Sequence, residues 1–382
     1  MSDVVLISTA EFALKSQPVR QQLVRLLKHH TRFNLKRIGQ EDYRIRSVGG
    51  FIVIDGLKNA EPVANDLARI LGVSHADACQ RIPPDLNGIV ECVAAFAEGT
   101  VKDGETFAVR ARRFEPTGLE GKEIEVRAGS EILSRMPKGV RVNLDSPDHT
   151  FRVFYGAQDA YVSTTRLNGP GGLPVGSQGS LIGLATDPVY SPLAFYLLMK
   201  RGATVWPVVA GNPPLGGGPP DMILEGLKKI RAYVPKNRFS ARLIRLDENT
   251  KQALAPVRPE VQRAFCVRLM FRAIKHLTRN ALGLVTADRF GQDGIESLKD
   301  LRVADEVAKF PVYRPILTLE DERINEQLKR LGLAEYETGK RDIPSISYGY
   351  EIALAEIREL EERLQAEQLA QELAAKSERI SL

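Results

Sequence analysis

The chain has 382 residues, 43% of them hydrophobic and 26% charged, which suits a globular protein of roughly two to three domains at about 150 residues each. This excludes a disordered chain, a collagen-like repeat and a disulfide-stapled mini-protein, and no run approaches the roughly 18 apolar residues that a membrane-spanning helix needs. The 53 basic and 48 acidic residues leave only +5, so the placement of charge matters more than its sum.

Residues 4–7 form an apolar run suited to a buried strand, and Val19, Leu23, Leu26 and Leu27 follow at helical spacing. Between residues 15 and 46 nine Lys/Arg face only Glu41 and Asp42, a net +7 in 32 residues. Such a cluster points to an anionic partner. Strand patterns at 43–46 and 51–54, separated by Gly49 and Gly50, precede a helical stretch at 60–71 closed by Gly72. That order implies a two-layer α+β unit of about 75 residues. Residues 106–113 alternate with period two, which puts Arg110 and Arg112 on one face. A helix is expected at 121–133, then strands at 141–144 and 151–155 around a turn holding Asp145 and Asp148. The Gly/Pro-rich joint at 169–176 is the clearest domain boundary.

Beyond the joint, apolar strands at 180–185, 205–210, 242–246 and 282–286 alternate with helical stretches at 191–201, 221–233 and 258–279. That alternation implies an α/β fold, a parallel sheet covered on both faces. The Gly/Pro-rich loop at 211–220 sits where an α/β ligand loop belongs, yet its composition reads as a flexible linker. From Tyr350 onward Ile357, Leu360, Leu364, Leu369 and Leu373 mark one long amphipathic helix with eight Glu against four Arg/Lys. Its spacing is too irregular for a coiled coil, so a docking or weakly self-associating helix is expected. Cys79, Cys92 and Cys266 lack metal-ligand spacing and pair into no disulfide set. With no signal peptide visible, a reducing cytoplasm is the expected compartment. Cys266 lies among Phe265, Leu269, Met270 and Ala273, which reads as a buried thiol.

Several stretches resemble the tRNA 4-thiouridine synthetases (tRNA sulfurtransferases). Thr106-Phe107-Ala108-Val109-Arg110-Ala111-Arg112-Arg113 is similar to the strand of their THUMP domain. Asn143-Leu144-Asp145-Ser146-Pro147-Asp148 resembles its later turn, and Gly171-Gly172-Leu173-Pro174-Val175-Gly176 resembles the connector into the ATP domain. Lys200-Arg201-Gly202, Gly291-Gln292 and Arg314-Pro315 fall at matching distances beyond. The resemblance implies a multidomain α+β and α/β protein. Residues 1–75 would be ferredoxin-like, 76–168 a THUMP RNA-binding domain, 177–340 a doubly wound PP-loop-type domain and 345–382 the C-terminal helix. It also implies structured RNA, tRNA first, as partner, with no role for DNA or a membrane. Arg20, Arg25, Lys28, Arg32, Lys36 and Arg37 of the basic cluster, with Arg110, Arg112 and Arg113, are then the expected RNA contacts. Aromatic residues among them are few, so recognition by shape and backbone is expected.

The nucleotide motif departs from the family. Where the resemblance calls for Ser-Gly-Gly-x-Asp-Ser-Pro, this chain reads Thr186-Asp187-Pro188-Val189-Tyr190-Ser191-Pro192. Both glycines are lost, Pro188 removes a donor, and Asp187 puts a carboxylate where an anion should bind. Ser191 and Pro192 still suit a helix N-cap and first turn. The other nucleotide positions by family match are Leu184, Ala185, Val267, Ala287 and Glu296, and none supplies anion-binding chemistry. The expectation is therefore a tRNA-binding protein that lacks ATP-dependent adenylation, a pseudoenzyme needing no cofactor. One alternative is an active sulfurtransferase using ATP, Mg and Cys266 as sulfur carrier. Another is an adaptor, or a homodimer, working through the C-terminal helix.

Overall fold

The structure, a computed structural model, describes residues 3–9, 11–210, 219–235, 239–278, 280–290, 298–336 and 350–382. It divides into two compact units, Met1–Pro174 and Val175–Leu382, and the division falls inside the Gly/Pro-rich joint.

The first unit runs β1 (Val4–Ser8), α1 (Gln17–Arg37), β2 (Arg44–Val48), β3 (Phe51–Asp55), α2 (Ala60–Leu67), β4 (His75–Ile82), α3 (Leu86–Glu98), β5 (Thr106–Arg113), α4 (Gly121–Arg135), β6 (Arg141–Val142), β7 (His149–Tyr155) and β8 (Ala160–Asn168). All eight strands join one sheet in the order β2-β3-β1-β4-β8-β7-β5-β6. Alternation gives that sheet two different faces. Val5 and Ile7 pack with Leu23, Leu27 and Leu35 of α1 and with α2. Phe107, Val109, Val153 and Val162 pack with α3 and α4. The other face carries Val4, Leu6, Phe51, Val53, Cys79, Phe154 and Tyr161, and none of the four helices packs on it. Two buried polar groups of α1 are satisfied within the helix, Thr31 Oγ1 donating to Leu27 O at 2.9 Å and Asn34 Nδ2 to His30 O at 3.0 Å.

The second unit runs β9 (Ser180–Ala185), α5 (Tyr190–Lys200), β10 (Thr204–Ala210), α6 (Pro220–Lys229), β11 (Ser240–Ile244), α7 (Glu248–Leu254), α8 (Pro259–Leu277), β12 (Leu284–Val285), α9 (Leu298–Asp305), β13 (Val312–Tyr313), α10 (Asp321–Leu331), α11 (Tyr350–Arg363), α12 (Ala366–Ala375) and β14 (Glu378–Ser381). Its sheet is ordered β13-β12-β9-β10-β11-β14. It is parallel except for β14, which pairs antiparallel with β11. The core forms where α8 brings Phe265, Leu269, Met270 and Ala273 onto Ile182, Leu184, Val208 and Ile244.

The single C-terminal helix expected from the sequence is two helices and a strand. The break comes at Gln365, the one non-glycine residue with positive φ (47°) among those described. A left-handed residue ends a helix and redirects the chain, so α11 and α12 both press on α8. Ile357, Leu360, Ala370 and Leu373 are buried there with Phe265 and Leu269. The acidity of the tail is explained by the same contact. Arg268, 2% exposed, donates from Nε and Nη2 to both oxygens of Glu361 at 2.8 Å, and from Nη1 to Glu306 at 2.8 Å and Val303 O at 2.6 Å. Arg272 reaches Glu361 at 2.9 Å, and Arg258 reaches Glu356 at 2.6 Å. The buried pair is satisfied on every side, as burial of charge demands.

Burial acts to raise the pKa of Glu361, but the hydrogen bonds and charges of Arg268 and Arg272 outweigh it, and the net shift is downward. A carboxylate depressed in the folded state contributes stability above its unfolded pKa and loses it as pH falls through the folded value. Thermal melting of the second unit should therefore drop as pH falls below about 4. Arg268→Ala, which strands Glu361, should cost about 3–5 kcal/mol by urea denaturation; a loss under about 1 kcal/mol would mean the pair is solvated and adds no more than a surface ion pair.

Candidate functional site

The RNA contacts expected from the sequence divide between the two faces of the first sheet. Arg20, Arg25, Arg32, Lys36 and Arg37 are exposed on α1 and Lys28 is half-buried. Burial and then the neighbouring Arg32 lower the pKa of Lys28. Helix α1 lies on the covered face. Arg110 and Arg112 project from the open face, since Phe107 and Val109 of the same strand point into the core beneath α3 and α4. Arg113 is exposed but alternates to the covered side, opposite Tyr155.

On the open face the register assembles more than the sequence foretold. Arg152 lies directly beside Arg110 across β5 and β7. Arg166 of β8 reaches the same place, and the four arginines, with Phe154, Thr150 and Asp145, line a basin of about 360 Å³. Guanidiniums also stack on aromatic rings there: Arg112 over Phe51 at 4.8 Å and Arg166 over Phe154 at 6.0 Å. Asp77 of β4, at 0% exposure, accepts from Arg166 Nε at 2.9 Å and Nη2 at 3.2 Å. Positive charge is thus in excess, and titration directions reflect it. Burial and then Arg166 push Arg152 below its ordinary value. Burial, then Arg166, with smaller pushes from Arg152 and Arg112, lowers His75 despite Asp77. Arg110 is tied back by a hydrogen bond to Leu144 O. By contrast Arg46, inside the basic cluster, is committed to Asp55 at 2.8 Å and Asp159 at 3.0 Å.

Arg152 and Arg166 were the residues missed. The signal for Arg152 was present, because it alternates with Phe151 and Val153 in a strand already recognised. Arg166 needed the pairing of β8 with β4 and β7, which no local pattern shows.

In the second unit the loop after β9 has filled its own cradle. Asp187, 4% exposed, accepts through Oδ1 from the N–H of Val189 at 2.6 Å and of Tyr190 at 2.7 Å. Ser191 Oγ accepts from the N–H of Thr186 and Asp187, both at 3.1 Å. Ser191 is therefore not the N-cap expected of it. Helix α5 opens at Tyr190 with Val189 as its N-cap residue, and it is Asp187, two residues earlier, whose carboxylate satisfies the amides of Val189 and Tyr190. Four backbone donors that would face a phosphate are taken internally, and the residues present do not fit a triphosphate. Helix α6 closes on the same loop: a Cβ at Gly226 would lie 1.9 Å from Pro188 O, so only glycine serves there.

The remaining nucleotide positions do other work. Leu184 and Ala185 are buried, Leu184 in the α8 core, with Val267 packed on that core's edge. Ala287 is half-exposed, between Thr286 and Asp288, which hydrogen-bond each other at 2.7 Å. Glu296, Gly291-Gln292 and residues 211–218 of the Gly/Pro-rich loop lie outside the described residues. Basic groups at this edge meet acids: Arg314 bridges Asp288 at 2.6 Å and Asp305 at 2.6 Å, and Arg289 meets Asp321 at 2.5 Å while stacking 4.4 Å over Tyr190. Cys266 is fully buried, and burial pushes its thiol up to about 12. No cluster of metal-ligating side chains occurs among the described residues, and no described helix is long and apolar enough to cross a membrane.

Two family models match the chain, the THUMP domain over residues 84–165 and "Thiamine biosynthesis protein (ThiI)" over residues 176–365. A probable tRNA sulfurtransferase of Methanosarcina acetivorans is 25% identical over 372 residues, 94% of this chain and 90% of that protein. One of Halobacterium salinarum is 29% identical over 332 residues, 85% of this chain and 83% of that protein. Among solved structures, a 4-thiouridine synthetase in complex with RNA and bound ATP superposes with a TM-score of 0.81 at 19% identity, covering 100% of both chains. PH1313 of Pyrococcus horikoshii does so with a TM-score of 0.63 at 24% identity, covering 87% of this chain and 100% of that one. The THUMP sheet, the parallel sheet that follows it and the relatives along the whole chain lead to one assignment: this protein belongs to the tRNA 4-thiouridine synthetase (tRNA sulfurtransferase) family.

Proposed function

We propose that the protein binds tRNA through the open face of its first unit and does not adenylate it. The observation that carries this reading is Asp187, a buried carboxylate bonded to the amides that would hold phosphate. A phosphate charge placed about 4 Å from it, at an effective dielectric of about 20, meets roughly 4 kcal/mol of repulsion, about a thousandfold in affinity. The RNA half is supported by the names of the relatives and by the basin of Arg110, Arg112, Arg152 and Arg166, which is open, concave and under-neutralised. Such a site favours phosphodiester backbone over any base edge. A tRNA partner makes the cytoplasm its working compartment.

The reading as an active sulfurtransferase with Cys266 as carrier has the thiol against it: a nucleophilic cysteine is exposed and has a lowered pKa, whereas this one is buried and raised. The adaptor reading has the tail against it, because the apolar faces of α11 and α12 are used up inside the second core.

Two experiments test these statements. Calorimetry with magnesium and ATP should give no heat, and a tRNA shift should weaken steeply with salt; Arg110→Glu with Arg152→Glu should weaken it at least about tenfold and flatten the salt slope by about two. Micromolar ATP binding would overturn the pseudoenzyme reading. Under native conditions a thiol reagent should leave Cys266 unmodified, and Cys266→Ser should leave tRNA affinity unchanged. Rapid labelling of Cys266 would restore the sulfur-carrier reading.

A further inference from the structure

Near the ends where β9, β10 and β11 begin, α8 ends at Leu277 beside a cavity on the sheet face. This is the opposite end of the strands from the Asp187 loop. Trp206, the only tryptophan of the chain, is 44% exposed there. With Ile182, Pro207 and Leu277 it walls a cavity of about 390 Å³ whose rim carries Arg242 and Arg379. Pairing fixes this arrangement: Trp206 sits beside Ile182, and Arg242 lies between Val208 and Arg379 on the same face. Both guanidiniums are steadied by neutral groups. Arg242 Nη1 donates to Ser377 O at 3.2 Å, and Arg379 Nε to Ser240 Oγ at 3.1 Å. Among the described residues no carboxylate lies within ion-pair distance of either one. Elsewhere in this unit Arg258, Arg268, Arg272, Arg289, Arg314 and Arg358 each meet an acid.

We infer that this cavity takes one unpaired nucleotide of a bound RNA, its base stacked on the Trp206 ring and its phosphates against Arg242 and Arg379. An apolar peptide side chain or a neutral aromatic ligand would fill the cavity but offer no counter-charge to the two exposed guanidiniums on its rim. A phosphodiester supplies that charge while the base supplies the planar face, the combination single-stranded nucleic acid sites use. The volume lies at the small end of ligand cavities, about 300–1,000 Å³, which suits one nucleotide and no folded element. The inference rests on the RNA-binding reading only for the presence of RNA; the residues are different ones.

Because Trp206 is the only tryptophan, its emission reports this site alone. Titration of the full chain with a short single-stranded oligouridylate should quench Trp206 saturably. Arg242→Glu with Arg379→Glu should weaken that titration about tenfold. Trp206→Leu, which keeps the apolar wall, should weaken binding of fluorescently labelled oligouridylate by about as much. Unchanged emission at RNA concentrations that shift the protein on a gel would overturn the inference, as would emission that varies with protein concentration alone, the mark of a second copy seated there. Quenching by oligouridylate in a protein that fails to shift tRNA would sustain this site and remove the grip assigned to the first unit.

Discussion

The pairing of β4 with β8 is the contact on which the first unit depends. It is antiparallel, runs from His75 opposite Asn168 to Ile82 opposite Ala160, and shifts register between Ala78 and Cys79. Without it the unit would be two half-sheets, each with a raw edge at its centre. The seam is also the source of the basin. Strand β4 buries Asp77 at 0% exposure, and a lone buried carboxylate costs several kcal/mol, so an arginine must stand opposite it. That arginine is Arg166, and a guanidinium anchored at the seam by one face presents its remaining edge beside Arg152 and Arg110. A structural requirement of the sheet thus supplies one quarter of the cation cluster. His75, one turn of the pleat away, is held toward neutrality by the same crowd of charge.

The second unit solves its charge problem in the opposite manner. Its strand ends hold Arg289, Arg314 and Asp187, and each is taken by a neighbour from its own chain. The tail continues the pattern, laying Glu356, Glu361 and Glu367 along the basic side of α8. A net −4 tail against a basic helix reads from sequence as a candidate for recruitment, but its apolar residues settle the matter: Leu360 and Leu373 need burial, and α8 is where a core is available. Burial of those side chains, at about 1.5–3 kcal/mol each, outweighs what exposed ion pairs add at about 0–1 kcal/mol. The acids set where the tail lies along α8, and the leucines hold it there.

How much of this was legible follows from the range of the forces involved. Period-two alternation at 106–113 and apolar runs at 180–185 and 205–210 are local signals, and β5, β9 and β10 stand where they pointed. Strand β4, reading His-Ala-Asp-Ala-Cys-Gln-Arg-Ile, has scarcely any intrinsic strand preference and becomes a strand because β1 and β8 flank it. Gln365 offers no breaker signal, yet docking on α8 from both sides demands a reversal there. At the nucleotide loop the loss of both glycines and the arrival of Asp187 were visible in the chain itself. The reach of that carboxylate to the amides of Val189 and Tyr190, and the demotion of Ser191 from cap to acceptor, were not, because both depend on dihedral angles that Pro188 and the packing of Gly226 impose.

The two basic surfaces of the first unit cannot play equal parts. The sheet is curled, since Phe51 of β3 meets Phe154 of β7 at 5.2 Å and Arg112 of β5 at 4.8 Å. Helix α1 lies on one face of that sheet and the arginine basin on the other. A rigid duplex laid on either face touches only one of them. The α1 cations are exposed on a convex helix, where salt screens them within about 10 Å; they raise the rate of encounter and add little to a fixed geometry. The basin is concave, three of its arginines are held by Asp77, by Leu144 O and by the rings of Phe51 and Phe154, and partial burial shields Arg152 and Arg166 from screening. Side chains already ordered lose less entropy when a phosphate arrives. On the proposed RNA-binding reading the basin is the seat, and α1 supplies the field that steers RNA toward this unit.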